Sequence, residues 1–198
     1  MSKGRVEAFS DGVIAIAITL LVLYIKVPSP SGVGTLAHKL AAQWPSYASY
    51  ATSFLTIGVI WVNHHAMLLR LRAVDHSIMF LNLLLLLFIG LLPWSTALMA
   101  EYLRASAGEG LAAGVYAASL LAMSSAFFMM QRHILFSRQH LLHETLDDAQ
   151  RASIHRRNRA GLLPYAVATA AAALSPYLTL AICAAIAIFY ALPARTAA

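Results

Sequence analysis

The chain has 198 residues, of which 60% are hydrophobic and 11% charged, with a formal net charge of +6. That balance is too apolar for a soluble domain of this size and fits a polytopic membrane protein. A single cysteine, Cys183, excludes an internal disulfide and a cysteine-based metal site, and within its apolar segment it reads as a small buried hydrophobe.

Met1 to Val6 is short and polar, no small-residue cleavage site follows the first apolar stretch, and that stretch carries Asp11. The N-terminus is therefore expected to stay in the mature protein as a spanning helix rather than to be removed as a signal. Apolar segments long enough to cross about 30 Å at about 1.5 Å per residue lie near 9–25, 46–68, 77–99 and 111–132. Between the first two, Pro28, Pro30, Gly32 and Gly34 predict a turn-rich link rather than regular structure. The polar stretch 133–160 holds Leu135, Leu142 and Leu146 at helical spacing and an Asp147/Arg151 pair. It is expected to be an amphipathic extension of the fourth helix, or an ordinary basic loop. The last apolar region is interrupted at Ser175-Pro176, because proline lacks a backbone donor and biases its predecessor away from helix. It predicts two short helices, 161–175 and 177–193, in a hairpin, with one kinked or re-entrant element as the alternative. The expected fold is all-α: one domain over 1–198 with six transmembrane helices.

Charge orients the spans. With both termini inside, the cytoplasmic segments carry Lys3, Arg5, Arg70, Arg72, Arg132, Arg138, Arg151, Arg156, Arg157, Arg159 and Arg195, and the outer segments only Lys26, Lys39 and Arg104. This asymmetry is the positive-inside pattern, so the basic excess reports orientation in the cell membrane and not nucleic-acid binding. Trp44, Tyr47, Tyr102 and Tyr177 lie near outer ends, where aromatic rings favour the interface. The Arg156-Arg157-Asn158-Arg159 run is suited to anionic lipid.

The first helix holds the residues with chemical content. On a wheel of about 100° per residue with Ile16 at zero, Leu20 falls at about +40°, Leu23 at about −20° and Thr19 at about −60°. They form one stripe, suited to a pore lining, to lipid or to a core. Asp11 is about 140° from Ile16, so if the stripe faces a central axis, Asp11 points back into the protein. Its expected partners at that depth, with Ser10, are His64 or His65 on the second helix and Asn82 on the third, in the same subunit or another. Simpler readings stand beside this one. Ser10-Asp11 is also a fair helix N-cap. His64-His65 is also a potential metal pair, although adjacent residues diverge by about 100° and no third ligand stands at a recognisable spacing.

Arg5, Phe9, Ser10 and Asp11, with Gly12-Val13, Ala15-Ile16-Ala17 and Thr19-Leu20, resemble the R-x-x-x-F-S-D signature of the transmembrane protein 175 family. Trp61-Val62-Asn63-His64-His65 is similar to that family's W-x-x-H-H, and Asn82 with Leu92-Pro93 is similar to its third-helix pattern. The resemblance covers roughly the first half of the chain; the second half matches only in span count and in the basic link. It implies a potassium-permeable cation channel, built as a homotetramer of six-helix subunits around the first helix, taking potassium and other monovalent cations and no cofactor. The human member carries two such repeats per chain and also conducts protons. One signature here implies four chains per pore. Carried over, Ile16, Leu20 and Leu23 match the family's hydrophobic constriction and Thr19 its selectivity threonine; the motif residues Arg5, Phe9, Ser10, Asp11, His64, His65 and Asn82 are expected to form a helix-to-helix network. Nothing like T-V-G-Y-G occurs, so a carbonyl filter is not expected. The competing readings are a proton-coupled transporter with Asp11 and His64 or His65 as relay, and a membrane enzyme with a His/Asp metal centre. No nucleophile or ligand set assembles for the enzyme.

Overall fold

The computed structural model describes residues 2–31, 34–105, 107–144 and 146–192, without the side chain of Arg157. Gly32, Arg195 and residue 193, the end of the last expected span, lie outside the described residues. Among the described residues eight α-helices follow in order: α1 Lys3–Leu20, α2 Leu36–Ala42, α3 Trp44–Leu69, α4 His76–Tyr102, α5 Glu109–Ser137, α6 Asp148–Ala160, α7 Leu162–Ala171 and α8 Pro176–Ala191. Among the described residues, Lys3–Tyr24, α3, α4 and α5 are long and apolar enough to cross a membrane, and α8 is apolar but shorter.

α1 begins six residues before the expected start, because Lys3 to Ala8 has no helix breaker beyond Gly4 and Glu7 pairs with Lys3 at 3.6 Å. Ser10 and Asp11 are therefore mid-helix, which removes the N-cap reading. The helix tightens into a 3₁₀ turn over Leu21–Tyr24. Its buried residues, Val6, Ser10, Ile14 and Ala17, recur every three or four positions and form one face packed against α3 and α4.

The link between α1 and α3 is not all turn: Thr35 caps α2, accepting a hydrogen bond from the His38 amide. α4 starts at Asp75, whose carboxylate accepts from the Ile78 amide at 2.8 Å and from the Arg138 guanidinium. Burial alone would raise this carboxyl, but those two donors, with His133 nearby, hold it below the usual carboxylate range. The Arg138 contact ties the end of α5 to the start of α4, the two most extensively packed helices.

The stretch after α5 departs from expectation. The helix stops at Ser137, a 3₁₀ turn follows at Gln139–Leu141, and Leu142 bridges to Leu71 through Arg72 N–H to Leu141 O (2.8 Å) and His143 N–H to Arg70 O (2.9 Å). Leu135 is buried on α5 and Leu142 in the turn beyond it, so the two do not share one continued helix. α6 is a separate helix: Asp147 caps it in a reciprocal capping box with Gln150, while Arg151 pairs with Asp148 instead of Asp147. The cap claims the Asp147 carboxylate, which is why the expected pair does not form.

In a bilayer, helix association depends on close packing rather than on apolar burial. Ala112, Ala113 and Ala117 of α5 and Ala168, Ala171 and Ala172 at α7 supply small buried surfaces for the α5–α7 contact. Gly110 permits close approach there, since a Cβ would stand a tight 3.2 Å from the Ala172 carbonyl oxygen. Ser175 caps α8 and Pro176 opens it, so the sequence break separates α7 from α8. Cys183 is buried in α8, and Trp44 stacks on Tyr177 at 6.1 Å where α3 and α8 begin.

Candidate functional site

α1 divides into two faces with different chemistry. On the buried face, the Ser10 hydroxyl donates to the Val6 carbonyl (2.8 Å) and its oxygen accepts from the Asn82 side-chain amide (2.9 Å). The Asn82 carbonyl oxygen can only accept, so the His64 Nε2–H donates to it, at 2.7 Å. One directed chain thus joins α3, α4 and α1: His64 to Asn82 to Ser10 to Val6. All three side chains are buried, and among the described residues His64 Nδ1 has no hydrogen-bond partner. His64, not His65, is the inward histidine.

Asp11 was expected to share this network and does not. Its Oδ1 accepts from the Trp61 indole N–H at 2.9 Å, and the indole stacks on His65 with centroids 6.2 Å apart. The reason is angular. The buried face of α1 is centred near Ser10, at about +120° on the wheel, and Asp11 follows about 100° further round, at the flank. Trp61, three residues before His64 and about 60° round α3 from its inward direction, reaches that flank. Arg5 and Phe9 stand exposed, and Arg5 has no ion-pair partner among the described residues.

The other face is uncovered. Ile16 is 61% exposed, Leu20 41% and Leu23 71%, and Thr19 is exposed between them. Thr19, at about −60°, is diametrically opposite the buried face. The 3₁₀ turn advances about 120° per residue, which brings Leu23 directly above Leu20 instead of offset from it. The Thr19 hydroxyl hydrogen is directed into the helix, toward the Ala15 and Ile16 carbonyls at 2.9 Å each. Its oxygen lone pairs consequently face outward.

A second buried polar cluster escaped the sequence reading. Ser53 Oγ lies 2.7 Å from Thr96 Oγ1 and 3.0 Å from the Tyr116 hydroxyl, linking α3, α4 and α5 in the core. The signal for it is Ser49, Thr52, Ser53 and Thr56, small polar residues recurring on one face of α3, all buried. Interhelical hydroxyl bonds of this kind hold membrane helices in register.

Long apolar helices joined by buried polar side chains, with one helix leaving an apolar stripe uncovered, define a polytopic membrane protein whose first helix is locked on one face and open on the other. The chain belongs to the TMEM175 family, described as the endosomal/lysosomal potassium channel TMEM175, whose family model matches residues 5–93. It is 46% identical to a potassium channel of Streptomyces collinus over 188 residues, 95% of this chain and 91% of that one. It is 45% identical to the endosomal/lysosomal proton channel TMEM175 of Homo sapiens over 101 residues, 47% of this chain and 20% of that one. The crystal structure of a lysosomal potassium-selective channel TMEM175 homolog from Chamaesiphon minutus superposes with a TM-score of 0.84 at 40% identity, covering 96% of both chains.

Proposed function

We propose that this chain is one subunit of a potassium-permeable cation channel, four copies surrounding a pore lined by α1. The observation that carries this reading is the uncovered stripe Ile16, Thr19, Leu20 and Leu23 opposite the locked face of α1. Relatives at 40% identity or more, named as potassium channels along nearly the whole chain, support it. The subunit crosses the cell membrane six times, with the α7–α8 hairpin supplying the last two crossings and both termini cytoplasmic.

The mechanism follows from the stripe. A ring of Ile16, Leu20 and Leu23 side chains from four subunits forms a dry constriction, which strips water from an ion without replacing it and so holds the pore shut until it widens or wets. The outward lone pairs of Thr19 are oriented to coordinate a partly dehydrated cation. They favour potassium modestly, because potassium loses its hydration shell more easily than sodium. Ser10, Asn82 and His64 fix the rotation of α1 and hence the direction of the stripe.

A proton-conducting alternative is favoured by the names of the human and other vertebrate relatives. Its proposed relay is interrupted in this arrangement: Asp11 bonds Trp61 and His64 bonds Asn82, with no direct bond between the two. Reversal potentials of the reconstituted protein under potassium, sodium and proton gradients discriminate. A reversal near the potassium equilibrium value is expected, and one that follows only the proton gradient refutes the channel reading.

A further inference from the structure

A groove of about 500 Å³ runs between α5, α6 and α7, remote from α1 and the buried polar clusters. Its wall is apolar, with Leu121 on α5 and Leu163 and Ala166 on α7, and Ser125 lies deeper along α5. Leu163 is 68% exposed, so the wall is open on its outer side. At one end stand Arg156 and Arg159, three positions apart on the same face of α6. Neither forms an ion pair among the described residues, whereas Arg151, near the start of the same helix, takes Asp148. The groove therefore has an apolar body and two uncompensated guanidinium groups at its mouth.

Depth identifies the occupant. Gly110 packs against Ala172 beside the α7–α8 turn. From Gly110 to Ser125, α5 advances about 22 Å at about 1.5 Å per residue. The arginines thus stand well across a hydrocarbon core about 30 Å thick from the α7–α8 turn, and their long side chains extend the remaining distance toward headgroup level. A soluble anion would have no use for the apolar wall, and a zwitterionic lipid would leave the arginine charge uncompensated.

We propose that this groove is a binding site for an anionic phospholipid, its phosphate held by Arg156 and Arg159 and one acyl chain laid along Leu121, Leu163 and Ala166. Basic recesses between membrane helices suit such headgroups, and guanidinium forks match phosphate oxygens. The lipid would couple α6, and through it the α7–α8 hairpin, to the charge of the leaflet. This rests only on membrane insertion, not on which ion crosses the pore.

The test is retention of phosphatidylglycerol against phosphatidylcholine by the purified full-length protein, measured by native mass spectrometry. Arg156→Gln and Arg159→Gln are each expected to lower the phosphatidylglycerol preference about fivefold and about thirtyfold together, and the Lys variants to keep most of it. Ala166→Trp, which fills the apolar wall and leaves the charges, is expected to lower it as well. An unchanged preference in the double Gln variant overturns the site. So does a loss in that variant with none in Ala166→Trp, which reduces the arginines to general surface attraction, or displacement of the lipid by glycerol phosphate alone. Variants that retain the wild-type elution profile qualify for comparison.

Discussion

Replacing Asn82 with Leu removes the centre of the polar chain while keeping the same number and branching of side-chain heavy atoms, so no cavity opens and the cost is chiefly that of the hydrogen bonds. Two bonds between helices disappear, His64 to Asn82 at 2.7 Å and Asn82 to Ser10 at 2.9 Å. Side-chain bonds within membrane proteins average about 0.6 kcal/mol and reach about 1.7. The loss expected is therefore about 1–3 kcal/mol, the upper part of that range reflecting a buried imidazole donor left without an acceptor. Ser10→Ala removes only one of the two bonds and is expected to cost about 0.6–1.7 kcal/mol. Because the residues are in direct contact, the double variant should cost less than the sum, by the energy of the shared bond. Equilibrium unfolding in mixed detergent micelles, titrated with a denaturing detergent, gives all four corners of the cycle. Additivity to within about 0.3–0.5 kcal/mol would refute the claim that this bond docks α1.

Ile16→Asn is expected to raise potassium flux into proteoliposomes severalfold by wetting the constriction; flux equal to the parent removes Ile16 from the pore lining. Thr19→Val, which keeps the shape and deletes the hydroxyl, is expected to lower the potassium-to-sodium permeability ratio, read from bi-ionic reversal potentials; an unchanged ratio takes Thr19 out of selectivity. Asp11→Ala and Trp61→Phe both delete the 2.9 Å bond between these side chains. Asp11→Ala is expected to lose more tetramer on semi-native gels, since only it also removes the carboxylate oxygen left for a neighbouring subunit, and equal losses would confine Asp11 to its own subunit. For Asp75, whose folded carboxyl is held low, the stabilisation is fully present above the unfolded value of about 4. It is lost as pH falls through the lower folded value, so Asp75→Asn should flatten the acid limb of a stability profile; an unaltered limb argues against the Arg138 tie.

The signature residues were legible in the sequence, but their division of labour was not. Helix direction and residue counting place Ser10, His64 and Asn82 at one depth, and in the structure they bond one another. Asp11, expected at the same depth, bonds Trp61 of α3 within the subunit. Depth is set by rise along each helix, whereas partnership depends on how each helix is rotated, and rotation is a property of the packed bundle. Asp147 shows a local limit as well: sequence spacing permits a pair with Arg151, yet α6 begins just after Asp147 and its carboxylate serves as the cap.

What the amino-acid sequence determined by itself is what depends on local composition: membrane-length apolar runs, the proline break before α8, the asymmetry of basic residues, and a stripe at helical period on the first helix. The tertiary structure alone decided that Leu21–Tyr24 tightens to bring Leu23 over Leu20, and that His64 rather than His65 turns inward. It also brought Ser53, Thr96 and Tyr116 together from three helices. Those outcomes depend on which helices touch and at what rotation. In an apolar bilayer that choice is made by close packing and a few buried hydrogen bonds, neither of which leaves a periodic trace in hydrophobicity.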